Sequence, residues 1–240
     1  MYYLYKKSES WFAVLLIIIY VVGISIADSV SKSVGIYKSI TALFGIVLFA
    51  IIFLFIKRNN LFEYYGLCKS NLPAKNVLYY FPLVIIASVN LWFGVKMNFT
   101  PIETLFFIVS MLLVGFLEEV IFRGFLFKAM CKDNVKTAII VSSLTFGIGH
   151  IVNQFNGSGA ELIPNLCQVS YAIAIGFLFV MLFYRGKSLW PCIITHSVLN
   201  SLGAFSNKEM AEIYIIPVSI ILIVVSLGYS LFLTKIAPKQ

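Results

Sequence analysis

Three charged residues, Glu118, Glu119 and Arg123, interrupt the apolar stretch GFLEEVIFRG, residues 115–124. A charged side chain near the middle of a membrane costs about 2.5–3.5 kcal/mol on insertion scales, so these residues need partners or water. On a helix, Glu119 and Arg123 are four residues apart and share a face, where they can form an ion pair. Glu118 is rotated by about 100° from Glu119 and has no local partner. The spacing therefore leaves one carboxylate free for chemistry.

The chain contains two histidines, His150 and His196, and both lie in apolar segments. Asn200 follows His196 by one helical turn, and Phe146, which we expect to pack in the core, precedes His150 by one turn. At about 1.5 Å per residue from the predicted helix ends, four polar groups come to lie about 10 to 20 Å deep: Glu118, His150, His196 and Asn200. We therefore predict that they meet around a wet pocket.

Such a pocket could hydrolyse an amide bond. Glu118 can take a proton from a water molecule that His150 helps to hold. His196 and Asn200 can offer N–H groups to the oxygen that becomes negative in a tetrahedral intermediate.

The same residues also have structural interpretations. Glu119 and Arg123 could be an ion pair that fastens helices together, and each histidine, like Asn200, could be an interhelical hydrogen-bonding group. These interpretations do not account for an unpaired Glu118 at the same depth. The hypothesis of catalysis depends on the whole set.

The composition shows which elements must position these residues. Hydrophobic residues make up 60% of the 240 positions and charged residues 12%, with a mean hydropathy of +0.96, values typical of an integral membrane protein. About 20 apolar residues cross a bilayer as a helix, and eight segments qualify: 11–27, 40–56, 77–95, 102–127, 137–152, 168–184, 189–205 and 213–234. We predict an all-α, polytopic membrane helix bundle of about eight transmembrane helices. It forms a single domain, 1–240, with its catalytic motifs within 115–205.

The lysines and arginines between the spans predict the orientation. Thirteen fall on the side of the two termini, and four fall on the opposite side, namely Lys32, Lys38, Lys96 and Lys208. By the positive-inside rule both termini are cytoplasmic, in a multi-pass protein of the cell membrane. We expect the pocket to open toward the cytoplasm. Because the net charge of +8 is dispersed among loops, no nucleic-acid partner is predicted.

Three further features of the sequence concern the N-terminal span, one connection and the cysteines. The first apolar run, followed by Ser25-Ile26-Ala27, resembles a signal peptide, but at about 17 residues it exceeds the usual 7–15, so we expect it to be retained. The segment 61–76 mixes aromatic and charged residues, which favours a position at the headgroup level. The four cysteines, Cys68, Cys131, Cys167 and Cys192, have no CxxC spacing, and we expect free thiols.

The motifs Glu118-Glu119-x-x-x-Arg123, Phe146-x-x-x-His150 and His196-x-x-x-Asn200, in this order on successive helices, resemble the CPBP family. This family comprises the eukaryotic CAAX prenyl endopeptidases and bacterial proteins linked to bacteriocin processing and self-immunity, also called the ABI family. The motifs cover residues 118–200, and only the eight-span architecture is similar outside them.

The resemblance implies a role for each matched position. Glu118 matches the residue that activates water, assisted by the histidine at His150. Glu119 and Arg123 match residues needed for activity and site integrity. His196 and Asn200 match residues proposed to stabilise the oxyanion. All the motif residues are present.

The resemblance leaves the role of a metal open. Two histidines and a carboxylate, here Glu118, His150 and His196, could bind zinc. The chain has no HExxH motif, however, and the ligands would come from three helices. We expect a mechanism without a metal or other cofactor, with zinc as the alternative.

The sequence therefore predicts an intramembrane endopeptidase that cleaves short membrane-associated peptides or lipidated substrates. In a bacterium these would be bacteriocin or peptide-pheromone precursors. One alternative is a self-immunity protein that binds a bacteriocin in the membrane. Another is a proton-coupled transporter, but the inverted repeats that such transporters often contain are absent from the sequence. The oligomeric state is not predicted.

Overall fold

The computed structural model describes residues 1–70, 80–155 and 161–236. It is 82% helical, and this part of the chain contains no strand, in agreement with the predicted all-α fold. Eleven α-helices are assigned within these residues: α1 Tyr2–Lys7, α2 Glu9–Val34, α3 Ser39–Arg58, α4 Phe81–Ser88, α5 Pro101–Glu118, α6 Lys128–Cys131, α7 Val135–Gly149, α8 Leu162–Gly186, α9 Trp190–Leu202, α10 Lys208–Ile213 and α11 Ile215–Ile236.

Local signals in the sequence begin and end several helices. Ser8 accepts a hydrogen bond from the backbone of Trp11 at the start of α2, which ends at Gly35 in the left-handed conformation. Thr100 and Glu103 form a capping box at the start of α5, with a proline at the first turn. These three caps satisfy backbone groups that a helix end leaves unpaired.

Six helices in the described residues are long and apolar enough to cross a membrane: Glu9–Val34, Ser39–Arg58, Pro101–Cys131, Val135–Gln154, Leu162–Gly186 and Ile215–Lys235. The third and seventh predicted spans are shorter than expected. The first of these is the apolar helix Phe81–Leu91, and residues 77–79 lie outside the described part. The other is α9, with 13 residues. At about 1.5 Å per residue, neither helix reaches across a 30 Å core.

The span containing the EExxxR motif lies among the other helices. Helix α5 packs against α3 and α9, and its continuation packs against α2 and α7. Helix α8 packs between α7 and α11. The three motif-bearing helices α5, α7 and α9 are therefore joined both directly and through α8.

A glycine permits the close contact between α5 and α9. A Cβ atom added at Gly115 would lie 2.2 Å from Ser197 Oγ and 2.7 Å from the Ser197 backbone nitrogen. Small residues at such positions let membrane helices approach closely. Gly115 precedes Glu118 by three residues and Ser197 directly follows His196, so this contact brings two predicted site residues together.

Aromatic side chains fill the bundle near the end that carries both termini and most of the lysines and arginines, called here the lysine-rich end. We call Phe12, Phe55, Tyr65 and Phe125 the aromatic plug. Phe12 lies with its ring centroid 5.1 Å from that of Phe55 and 5.3 Å from that of Phe125, and Tyr65 lies 4.5 Å from Phe125. All four are buried. Tyr65 belongs to the segment predicted to lie among the headgroups, of which residues 71–76 lie outside the described part.

Candidate active site

The span that carries the EExxxR motif changes from α-helix to π-helix within this motif. Helix α5 ends at Glu118, and residues Glu119–Phe127 continue the same span as a π-helix. Because a π-helix bonds each N–H to the carbonyl five residues back, it changes the alignment of side chains, and it is often found at functional sites. The Phe122 carbonyl in this segment accepts a hydrogen bond of 2.9 Å from Ser142 Oγ of α7. The π-helix is thereby tied to α7, the helix that His150 directly follows.

Glu119 is the centre of a buried ionic network. Its Oε1 accepts hydrogen bonds from Arg123 Nη1 at 3.1 Å and from His196 Nδ1 at 2.8 Å. Glu119 and Arg123 are completely buried. The predicted ion pair is therefore present, and it also orients His196. The Phe146 ring lies over Arg123, with 3.9 Å between the guanidinium carbon and the ring centroid, so Phe146 contacts the network and is more than core packing.

Glu118 faces a different environment. Its Oε1 accepts a 2.6 Å hydrogen bond from the hydroxyl of Tyr20 on α2. Its Oε2 lies 3.7 Å from His196 Nε2, and the side chain is 13% exposed. Within the described residues, Oε2 is a buried atom without a hydrogen-bond partner. One oxygen is therefore fixed in place, and the other is available beside an imidazole.

The hydrogen bonds determine which histidine nitrogens carry protons. His196 Nδ1 lies against a carboxylate, and His150 Nδ1 lies 3.1 Å from the Phe146 carbonyl. Because both partners only accept, Nδ1–H is the donor in each ring. His150 Nε2 is then free to accept a proton. His196 Nε2 can donate a hydrogen bond only when its ring is protonated.

A cavity brings the remaining predicted residues to Glu118. It has a volume of about 1240 Å³ including its open mouth, and its lining includes Tyr20, Glu118, His150 and Asn200. An adjoining space of about 560 Å³ shares His150 and Asn200 and also touches His196. The six predicted residues therefore lie together. Four of them line the two spaces, and Glu119 and Arg123 are buried beneath this lining.

The cavity runs in a direction that differs from the expectation. The sequence predicted an opening at the lysine-rich end of the bundle. Along α2, however, the cavity lining extends from Tyr20 to Asp28 and reaches Lys38, at the opposite end of that helix.

The sequence analysis did not identify Tyr20. This tyrosine is one of 13 in the chain and lies 98 residues before its partner Glu118. Tyrosine is common in membrane helices, and no local spacing links Tyr20 to the EExxxR motif. A hydroxyl within the first apolar run was the only available signal.

The zinc alternative, with Glu118, His150 and His196 as ligands, stays a prediction. Within residues 1–70, 80–155 and 161–236, no three His, Cys, Asp or Glu side chains are grouped so that they could hold a metal ion.

Comparison with known proteins extends the motif match. Residues 100–202 match the family model described as type II CAAX prenyl endopeptidase Rce1-like. A Bacillus subtilis (strain 168) protein named "Putative membrane peptidase YdiL" is 31% identical over 112 residues, which are 46% of this chain and 41% of that protein. The match thus spans less than half the length of that relative. No solved structure matches. The resemblance indicated by the motifs is therefore confirmed over residues 100–202, a segment that contains all six site residues and is similar to the type II CAAX prenyl endopeptidase Rce1-like family.

Proposed function

We propose that this protein is an intramembrane endopeptidase in which Glu118 activates water. The observation that carries the proposal is the position of Glu118 on a cavity wall, with one oxygen held by Tyr20 and the other 3.7 Å from His196. The family match and the similarity to a protein named as a membrane peptidase support it. A carboxylate placed in this way can act as a general base.

In the first step, water attacks the scissile carbonyl carbon. Glu118 Oε2 takes one proton from the water, while His150 Nε2 accepts a hydrogen bond from it and holds it in line. A new C–O bond forms, and the carbonyl electron pair moves to oxygen. Tyr20 keeps the Glu118 carboxylate in one orientation during this transfer.

The developing oxyanion needs hydrogen-bond donors. Protonated His196 offers Nε2–H, and Asn200 offers its side-chain NH₂ across the cavity. Glu118 and Glu119 carry two negative charges and Arg123 carries one positive charge, so a protonated His196 balances the charges of the four residues. Its Nδ1–H remains bound to Glu119, which fixes the ring for this role.

In the second step, the C–N bond breaks. The oxyanion re-forms a carbonyl, and Glu118 returns its proton to the leaving nitrogen. The products are a carboxylic acid and an amine, and Glu118 is a carboxylate again. No step requires a metal, and we propose that the reaction proceeds without one. Activity that persists after exhaustive chelation, with no stoichiometric zinc in the active protein, is the expected result.

The substrates that we propose are small membrane-associated peptides. The cavity lies within the bundle, so a scissile bond must enter the membrane region to meet Glu118. In a bacterial setting, such as that of the Bacillus subtilis relative, precursors of bacteriocins or peptide pheromones have the required size. Self-immunity by binding is the second candidate, but it gives no role to the free oxygen of Glu118.

The test compares Glu118→Gln with wild type on a panel of small precursor peptides, with cleavage read by mass spectrometry. General-base catalysis typically contributes about 10²- to 10⁴-fold, and we expect a loss of that order. Glu63→Gln, an exposed glutamate outside the cavity, is the matched control and should retain activity. A Glu118→Gln protein that cleaves at the wild-type rate would refute the mechanism, and protection without cleavage would favour immunity by binding.

A further inference from the structure

The path from Glu118 to the surface follows one face of α2. Tyr20, Ile24 and Asp28 all line the cavity, and their spacing of four residues places them in a row. From Tyr20 to Asp28 the helix rises by about 12 Å. An extended peptide covers about 3.3 Å per residue, so this face matches about three to four residues of substrate.

Polar groups line the far end of this path. Lys38 Nζ lies 2.8 and 2.9 Å from the two carboxylate oxygens of Asp28, and Thr41 also donates a hydrogen bond to Asp28. The three side chains belong to the cavity lining. Charged side chains at this depth of a membrane protein normally meet water. The end of the cavity at Asp28 is therefore its hydrated mouth.

Buried side chains fill the bundle between Glu118 and its lysine-rich end. The aromatic plug begins at Phe12, about 12 Å along α2 from Tyr20 toward the lysine-rich end. Phe12 is 0% exposed, Tyr65 1% and Phe125 2%. Leu16 and Phe122, which lie between the plug and Glu118 along α2 and the π-helix, are also buried. Among the described residues, these close-packed side chains occupy the space along α2 between Glu118 and the lysine-rich end, where a peptide would have to displace them.

These observations, together with the positive-inside orientation, point to an entry side. We propose that substrate reaches Glu118 from the non-cytoplasmic face, as an extended peptide that lies along α2 between the Asp28–Lys38 pair and the Tyr20–Glu118 pair. This inference rests on the proposed peptidase function, since a peptide in this cavity is a substrate only if the protein cleaves it. It replaces the expected cytoplasmic opening and implies that the precursor has already entered or crossed the membrane when it is cleaved.

Cysteine accessibility tests the entry side without requiring activity. Ser25 lines the cavity, whereas Ser10, on the same helix, lines a surface cleft at the lysine-rich end. A membrane-impermeant thiol reagent is added to intact and to permeabilised cells that carry Ser25→Cys, Ser10→Cys or the wild-type chain. The wild type gives the background from the native cysteines.

We expect Ser25→Cys to be labelled above background in intact cells and Ser10→Cys only after permeabilisation. The reverse pattern, or a Ser25→Cys protein that is unlabelled in both preparations, would overturn the proposal. Because labelling does not depend on turnover, the same result is expected in the Glu118→Gln background. A failed entry side is thereby distinguished from a failed peptidase function.

A second pair of variants tests the path itself. Ser25→Phe places a ring inside the cavity, whereas Ser29→Phe places one on an exposed position of the same helix. We expect Ser25→Phe to lower peptide cleavage at least about tenfold, equivalent to about 1.4 kcal/mol, and Ser29→Phe to leave it unchanged. Equal activity of the two variants, both present in the membrane at wild-type amounts, would contradict a substrate path along α2.

Discussion

Among the described residues, the Tyr20 hydroxyl donates the only hydrogen bond to the Glu118 side chain, at 2.6 Å. We predict that Tyr20→Phe removes this bond while keeping the ring. Hydrogen bonds to charged groups contribute about 1.5–3 kcal/mol, so kcat should fall about 10- to 100-fold. KM should change little, since the bond positions a catalytic group and does not bind substrate.

A comparison of two backgrounds shows whether Tyr20 acts through Glu118. In Glu118→Gln protein, Tyr20→Phe should cause little further loss, because residues that work as a unit are not additive. Tyr214→Phe, which changes a tyrosine between α10 and α11 and outside both cavities, is the control. If the loss of activity in the double variant equals the product of the losses in the two single variants, Tyr20 acts independently of Glu118.

The Glu119–Arg123 pair is predicted to have a different signature from Glu118. Breaking a completely buried ion pair typically costs about 3–5 kcal/mol, because an uncompensated charge remains. Arg123→Met should therefore lower the unfolding temperature in detergent strongly, whereas Glu118→Gln should lower activity with little change in this temperature. Adding Glu119→Gln to Arg123→Met should recover part of the stability, and failure to recover any would argue against a simple pairing role.

At the scale of the helices, the sequence predicted the helix that carries each motif, but not how the helices meet. The spacing of Glu119 and Arg123 was sufficient to predict their ion pair, since it is a local contact. The π-helix from Glu119 to Phe127 was not predictable, because nothing in an apolar run indicates a change from four- to five-residue hydrogen bonding. The contact between Tyr20 and Glu118 depends on that tertiary arrangement and was missed for the same reason.

The close approach of α5 and α9 gives an element-scale prediction. At Gly115 a methyl group would lie 2.7 Å from the backbone nitrogen of Ser197, and a backbone atom cannot rotate away. We therefore expect Gly115→Ala to separate the helices, to move Glu118 from His196, and to lower both thermal stability and peptide cleavage. Overpacking of this kind typically costs about 1–3 kcal/mol.

Gly228 provides the matched control for this substitution. It lies in α11, and a Cβ atom there would meet nothing within 4 Å. Because alanine is favoured over glycine inside a helix by about 0.5–1 kcal/mol, Gly228→Ala should be neutral or stabilising. Equal effects at Gly115 and Gly228 would contradict the role of the helix contact.

For the whole molecule, composition was sufficient to predict a polytopic helical bundle, because about 20 apolar residues in a row have few other uses. It did not predict that two of the eight segments form short helices. Asn90, at the end of the first short helix, donates a 2.7 Å hydrogen bond to the Leu199 carbonyl of α9. Asn90 and Asn200, one from each short helix, also line the cavity, a tertiary arrangement that hydropathy does not register.

The orientation of the molecule yields the last prediction. The flanking cations, thirteen on the side of the termini against four on the other, predict that both termini face the cytoplasm. An epitope tag at either terminus should therefore be protected from protease in intact cells. A tag inserted beside Lys208, near the exposed Lys96–Glu209 ion pair, should be cleaved. The pair contributes little to stability because it is exposed, so an insertion there is expected to be tolerated. Cleavage of the terminal tags with protection at Lys208 would invert the orientation, and the cavity mouth at Asp28 would then face the cytoplasm.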